Sequence, residues 1–156
     1  MTGRTPNINR SRVHEEMVQR LAMQKLPNDR PLFPTIRELL CFAALLGFSE
    51  AMRIPLDRSK GTEDVSYQQF ERGEAEDLIW LIALDETKDP SVLKDGEEGR
   101  CAEIFEEYAN GGLSIIADAL RRSGGEFPDR DIVEMLMEKG YLTVEDDGTD
   151  VAEISF

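Results

Sequence analysis

The stretch Ile104-Phe105-Glu106-Glu107-Tyr108-Ala109-Asn110-Gly111-Gly112-Leu113 constrains this 156-residue chain more than any other. An amphipathic helix runs into Asn-Gly-Gly, and a second apolar helix begins at once. The residue just beyond a helix C-terminus commonly has a positive φ, which Gly and Asn adopt at the least steric cost. Asn110, Gly111 and Gly112 therefore read as a helix-helix corner, with one helix over 96–109 and another over 113–122. Such a corner is a signature of fold and brings no reacting group with it.

The other apolar periods extend the helical reading. Residues 1–10 show no periodicity and read as a flexible basic tail. Ser11 caps a helix over 11–26 whose apolar side is Val13, Met17 and Leu21. Pro27, Pro31 and Pro34 keep the next segment extended. Thr35-Ile36-Arg37-Glu38 is a capping box. It opens a helix that is apolar nearly all round, from Leu39 through Leu46, closed by Gly47. Residues 49–70 form the longest irregular connection, with a hint of strand at Val65 and Tyr67, and are a candidate for ordering on a partner. A helix over 74–86 carries Leu78, Ile79, Trp80, Leu81 and Ile82, with Trp80 in the core. Gly124-Gly125 ends the helix over 113–122. A last helix starts at Pro128 or Asp129 and is capped by Gly140. Alternation at 141–144 and 151–156 then marks a hairpin about Asp146-Asp147-Gly148-Thr149. The expected architecture is mainly α: residues 11–156 as a single domain of about six helices with a small C-terminal β-hairpin.

Charge divides the chain. Residues 1–53 hold 8 Lys/Arg against 5 Asp/Glu, and residues 54–156 hold 10 against 27, for a net charge of −14 overall. DNA affinity rests largely on Lys and Arg displacing counterions, so the acidic body is not expected to bind duplex DNA by itself. Only Arg4, Arg10 and Arg12 offer a nucleic-acid arm, and they read more simply as a solvated terminus. The final hairpin resembles the end of a winged helix, yet from Tyr141 onward it has five acidic residues and no Lys or Arg. It suits a protein-docking edge better than a DNA wing. The longest apolar runs fall short of the roughly 20 residues of a membrane span, and no secretory signal is read at the N-terminus, so a cytoplasmic location is expected.

No catalytic, cofactor-binding or metal-ligating set emerges. His14 is the only histidine and is expected to be solvated, which removes most schemes that need a histidine base. Cys41 and Cys101 have no Cys or His partners at metal or disulfide spacing and read as buried, inert thiols. Phosphate-cradling and dinucleotide motifs are absent. Glu86-Thr87-Lys88 has the Glu-x-Lys of some metal-dependent nucleases but ends a helix instead of lying on a strand. The adjacent pairs Glu97-Glu98, Glu106-Glu107 and Asp146-Asp147 diverge on a helix or turn and read as solvated faces. The turn from Asp146 to Asp150 lacks the full spacing of a calcium loop.

Taken together, Phe42 to Phe48, Pro55-Leu56, Leu81 to Thr87 and Ile104 to Leu113 resemble a small bacterial family encoded beside DNA phosphorothioation (Dnd) genes, the Dnd system-associated small proteins. The resemblance spans 32–120 and consists of structural residues. It implies an accessory role in DNA sulfur modification or in the linked restriction of foreign DNA in phage defence, and it carries no catalytic residue.

The expectation from sequence is a non-enzymatic interaction subunit that docks on a basic protein partner, a DNA modification or restriction subunit. Its oligomeric state is left open. The alternatives are an acidic DNA-mimic inhibitor of a DNA-acting enzyme, a small DNA-binding regulator using the N-terminal arginines, and, last, an enzyme.

Overall fold

The computed structural model describes residues 6–144 and the backbone of residues 152–154. It is mainly α-helical, with six α-helices and two two-stranded antiparallel sheets among the described residues. The chain divides into two compact units, residues 1–115 and 116–156.

The first unit opens with a strand, β1 (Ile8–Ser11), which pairs antiparallel with β2 (Thr62–Val65) in the register Ile8 to Val65 and Ser11 to Thr62. For residues 8–10 this corrects the expected flexible tail, of which residues 1–5 lie outside the described residues. Ile8 is fully buried, and the Asn9 amide donates to Glu106 Oε1 at 2.8 Å, so side chains far along the sequence fix a segment with no periodicity of its own. Ser11 does cap, accepting from Val13 N–H, but over a single 3-10 turn, and α1 (Glu15–Ala22) follows. The buried face of α1 is Val18, Leu21 and Ala22. Val13 lies outside α1 and is exposed.

Thr35 opens α2 (Ile36–Ser49), its hydroxyl accepting from Glu38 N–H at 3.1 Å, which is the Thr half of the capping box, while Glu38 Oε1 accepts from Arg37 at 3.5 Å. Gly47 is inside α2 and does not close it. The connection after α2 contains β2 and a short α3 (Tyr67–Arg72), which buries Tyr67 and Phe70. Tyr67 is thus helical, not part of a strand. Next comes α4 (Glu76–Thr87), where Trp80 is only half-buried, its ring 6.0 Å from that of Tyr67.

The expected corner is overturned. A single helix, α5 (Glu98–Ser123), runs straight through Asn110, Gly111 and Gly112. Positive φ occurs instead at Gly124, Gly125 and Gly140, where helices do end. The physical reason is packing. A Cβ on Gly112 would stand 1.8 Å from the Ala43 carbonyl oxygen, and one on Gly111 1.8 Å from that of Met52. On the opposite helix, a Cβ on Gly47 would stand 2.1 Å from the Tyr108 carbonyl oxygen. The three glycines let two helix backbones and the chain after α2 approach more closely than any side chain permits. That contact offsets a helix-propensity cost of about 1 kcal/mol per glycine. Phe105, Leu113, Leu39, Leu40, Phe70 and Ile79 fill the surrounding core.

The second unit takes in the end of α5, then α6 (Pro128–Glu138), β3 (Leu142–Val144) and β4 (Ala152–Ile154). The two strands pair antiparallel, as the alternation predicts. Its buried apolar residues include Ile116, Ala119, Leu120, Ile132, Met135, Leu136 and Leu142. The expected turn at Asp146 to Asp150 lies outside the described residues.

Candidate functional site

Helix α5 turns Glu106 and Glu107 inward, against the expectation of a solvated face: they are 4% and 8% exposed. Apolar residues precede and follow them at Ile104, Phe105, Tyr108 and Ala109, so the helix is enclosed nearly all round. That run of apolar neighbours on both sides was the one signal in the sequence that the pair is buried.

Each carboxylate has defined partners. Glu106 Oε1 accepts from the Asn9 backbone N–H and, at 3.1 Å, from Asn9 Nδ2, while Oε2 lies 3.6 Å from Arg58. Burial nevertheless holds its carboxyl above the usual range, the Asn9 hydrogen bonds and Arg58 working the other way. Glu107 takes Arg53, with Nε 3.3 Å from Oε2 and Nη2 3.4 Å from Oε1. The same guanidinium reaches Glu86 of α4 at 2.9 Å. Glu86 in turn accepts from the Tyr108 hydroxyl. Burial first, and this Glu86 contact second, push Tyr108 up to about 12. The Tyr108 ring meets Phe48 edge-on at 5.3 Å.

The backbone follows the same line. Ile54 N–H donates to the Glu107 carbonyl at 3.0 Å, and Asn110 Nδ2 donates to the carbonyls of Ile54 and Pro55 at 3.2 and 3.4 Å. Met52, Arg53, Ile54 and Arg58 are thus laid along α5 over the gap left by Gly111. Part of the expected long irregular connection is strapped to the helix by charge-assisted bonds. Chemically this is a lock. Each carboxylate is engaged by a guanidinium, an amide or a hydroxyl, and a reacting group would have to displace one of them.

The other residues singled out by sequence are scattered. Glu86 and Lys88 part company: Lys88 is the left-handed cap of α4, with φ 54°, and its Nζ is 2.5 Å from Asp85. His14 is half-buried, not solvated, and burial lowers its pKa, which keeps the ring neutral at neutral pH. Cys101 is buried, its Sγ donating to the Val92 carbonyl at 3.3 Å. Cys41 is half-buried, its thiol pushed up to about 11 by burial, so it is a poor nucleophile near pH 7. Arg10, expected in a solvated tail, is 6% exposed and paired with Glu15, and Arg12 reaches Glu63 at 2.9 Å. Glu98 is likewise buried, accepting from Gly96 N–H at 2.8 Å. Among the described residues, no group of three His, Cys, Asp or Glu is placed to hold a metal ion. Nor is any helix among them long and apolar enough to cross a membrane.

Fold and charge together define a small, acidic, mainly helical protein in which the buried Glu106 and Glu107 tie distant parts of the chain together. The family described as DNA sulphur modification system-associated protein 4 matches residues 7–154, and the chain belongs to that family. The Dnd association implied by the resemblance is thereby shown, and with it a place in a DNA sulphur modification system. No curated protein and no solved structure matches the chain.

Proposed function

We propose that this protein is a non-enzymatic accessory subunit of a Dnd system, docking through its acidic surface onto a basic partner that modifies or restricts DNA. The observation that carries this reading is where folding puts the arginines. Arg10, Arg12, Arg53 and Arg58, which include two of the three candidates for a DNA arm, are ion-paired within the fold to Glu15, Glu63, Glu86, Glu107 and Glu106. Carboxylates such as Asp77, Glu103, Asp118 and Glu134 remain exposed. A surface of this kind attracts a basic protein and repels a phosphate backbone.

Co-expression of the full chain with each modification and restriction subunit of its Dnd system tests the reading. The expected result is co-purification with one of them, with affinity falling as salt is raised from 50 to about 300 mM. No complex with any subunit, together with a shifted DNA duplex at physiological salt, would replace it with the DNA-regulator reading.

A further inference from the structure

Resting on that docking role, we infer that the second unit holds a socket for one cationic side chain, lysine or arginine, of the protein partner. The socket is a cleft of about 380 Å³ between the last turn of α5 and helix α6. Ala119 and Met135 line it with apolar surface. Asp131, Glu134 and Glu138 of α6 and Arg122 and Ser123 of α5 supply the polar lining. Positions 131, 134 and 138 are three and four apart, so the three carboxylates share one face of α6. Against them stands the single guanidinium of Arg122, 3.8 Å from Glu138 in a pair exposed on both sides.

An acidic cluster on a helix is by itself a solvated face. Asp131 makes this one different. Its residue is 7% exposed, and Oδ2 is buried without a hydrogen-bond partner. Buried carboxylates are costly unless paired, and native structures satisfy nearly all buried polar atoms; Arg122 lines the same cleft but is turned to Glu138, which leaves Asp131 Oδ2 without a donor. A lysine or arginine supplies both things the cleft asks for: a methylene stem to lie on Ala119 and Met135, and a cationic head for the carboxylates. The negative end of the α5 dipole, at Arg122 and Ser123, favours the same charge. A bare divalent cation is a poorer fit, because Ala119 and Met135 bring no side-chain oxygen and, among the described residues, no three carboxylates stand close enough to share a metal ion.

Two measurements on the full-length protein test the socket. In a 15N NMR titration, the peptide acetyl-Gly-Gly-Arg-Gly-Gly-amide should give saturable shifts confined to residues 119–123 and 131–138. Its citrulline counterpart, equal in shape and uncharged, should give none, and Asp131→Asn should abolish the response. That variant should melt close to wild type, so that a lost response reports the cleft and not unfolding. With the Dnd subunit that co-purifies, Asp131→Asn should weaken binding at least about tenfold, and Glu16→Gln, an exposed acid on α1, by less than about twofold. A partner that binds Asp131→Asn as tightly as wild type would sink the socket and leave the docking role standing. Saturation by calcium or magnesium at the cleft, with no response to the arginine peptide, would also sink it. If no Dnd subunit binds while the arginine peptide still saturates the cleft in an Asp131-dependent way, the docking role fails and the socket stands.

Discussion

Replacing Gly112 by alanine should weaken this protein, although the same change in an isolated helix would strengthen it. In helix interiors alanine is better than glycine by about 1 kcal/mol. Here the added Cβ would sit 1.8 Å from the Ala43 carbonyl oxygen, 2.5 Å from its carbonyl carbon and 2.8 Å from its Cα. All three are backbone atoms of α2, so no rotamer change relieves the overlap. Real Cβ atoms almost never approach within 3.0 Å, so α2 and α5 must separate locally by about 1.2 Å. That opens a close-packed crossing at which Phe105, Leu113, Leu39 and Leu40 are all buried. Overpacking of this kind costs up to about 3 kcal/mol, leaving a net loss of roughly 2 kcal/mol after the propensity gain. In a chain of this size that is a fall in melting temperature of about 4–8 °C, out of a total stability of about 5–15 kcal/mol. Gly99→Ala is the internal control: it lies in the same helix, nothing stands within 4 Å of its added Cβ, and it should be neutral or stabilising. Circular-dichroism melts and urea titrations of the two variants decide the matter. A Gly112→Ala protein that melts at or above wild type would show that helix propensity, not backbone approach, governs this position.

Three further outcomes follow from the same structure. Deleting residues 1–11 removes the fully buried Ile8 and the two Asn9 donors to Glu106, and should cost at least about 2 kcal/mol in urea unfolding; no loss would restore the flexible tail. Ultraviolet titration should show one tyrosine ionising at about 12, absent in Tyr108→Phe; ionisation of that residue near 10 would mean that burial and Glu86 do not govern its hydroxyl. Because the folded Glu106 carboxyl lies above its unfolded value of 4.5, the native state takes up this proton first. Its contribution to stability therefore grows as pH falls through the folded value and levels off near 4.5. Relative to wild type, Glu106→Gln should lose that component when urea midpoints are compared at pH 7 and pH 5; an unchanged difference would count against the assignment.

Local signals were legible. The Thr35 cap, Gly124 and Gly140 as helix ends, and the alternation of the final strands each depend on atoms a few residues apart, and the structure has them where the sequence places them. The expected total of six helices is also found, by a different division: two expected helices are one, α5, and α3 was not foreseen. Those differences share a cause. Gly111 and Gly112 carry the local marks of a helix end, and only the approach of Ala43 and Met52, more than fifty residues away, makes them interior positions. Glu106 and Glu107 read as a solvated pair from sequence, and their burial comes from elements that pack around them. Arg10 and Arg12 read as part of a solvated terminus until folding sets Glu15 and Glu63 beside them. Propensity and capping act within a turn or two of the chain, so sequence alone reveals them. Close backbone approach and desolvation of charge depend on which distant segments meet, and the tertiary structure alone decided those.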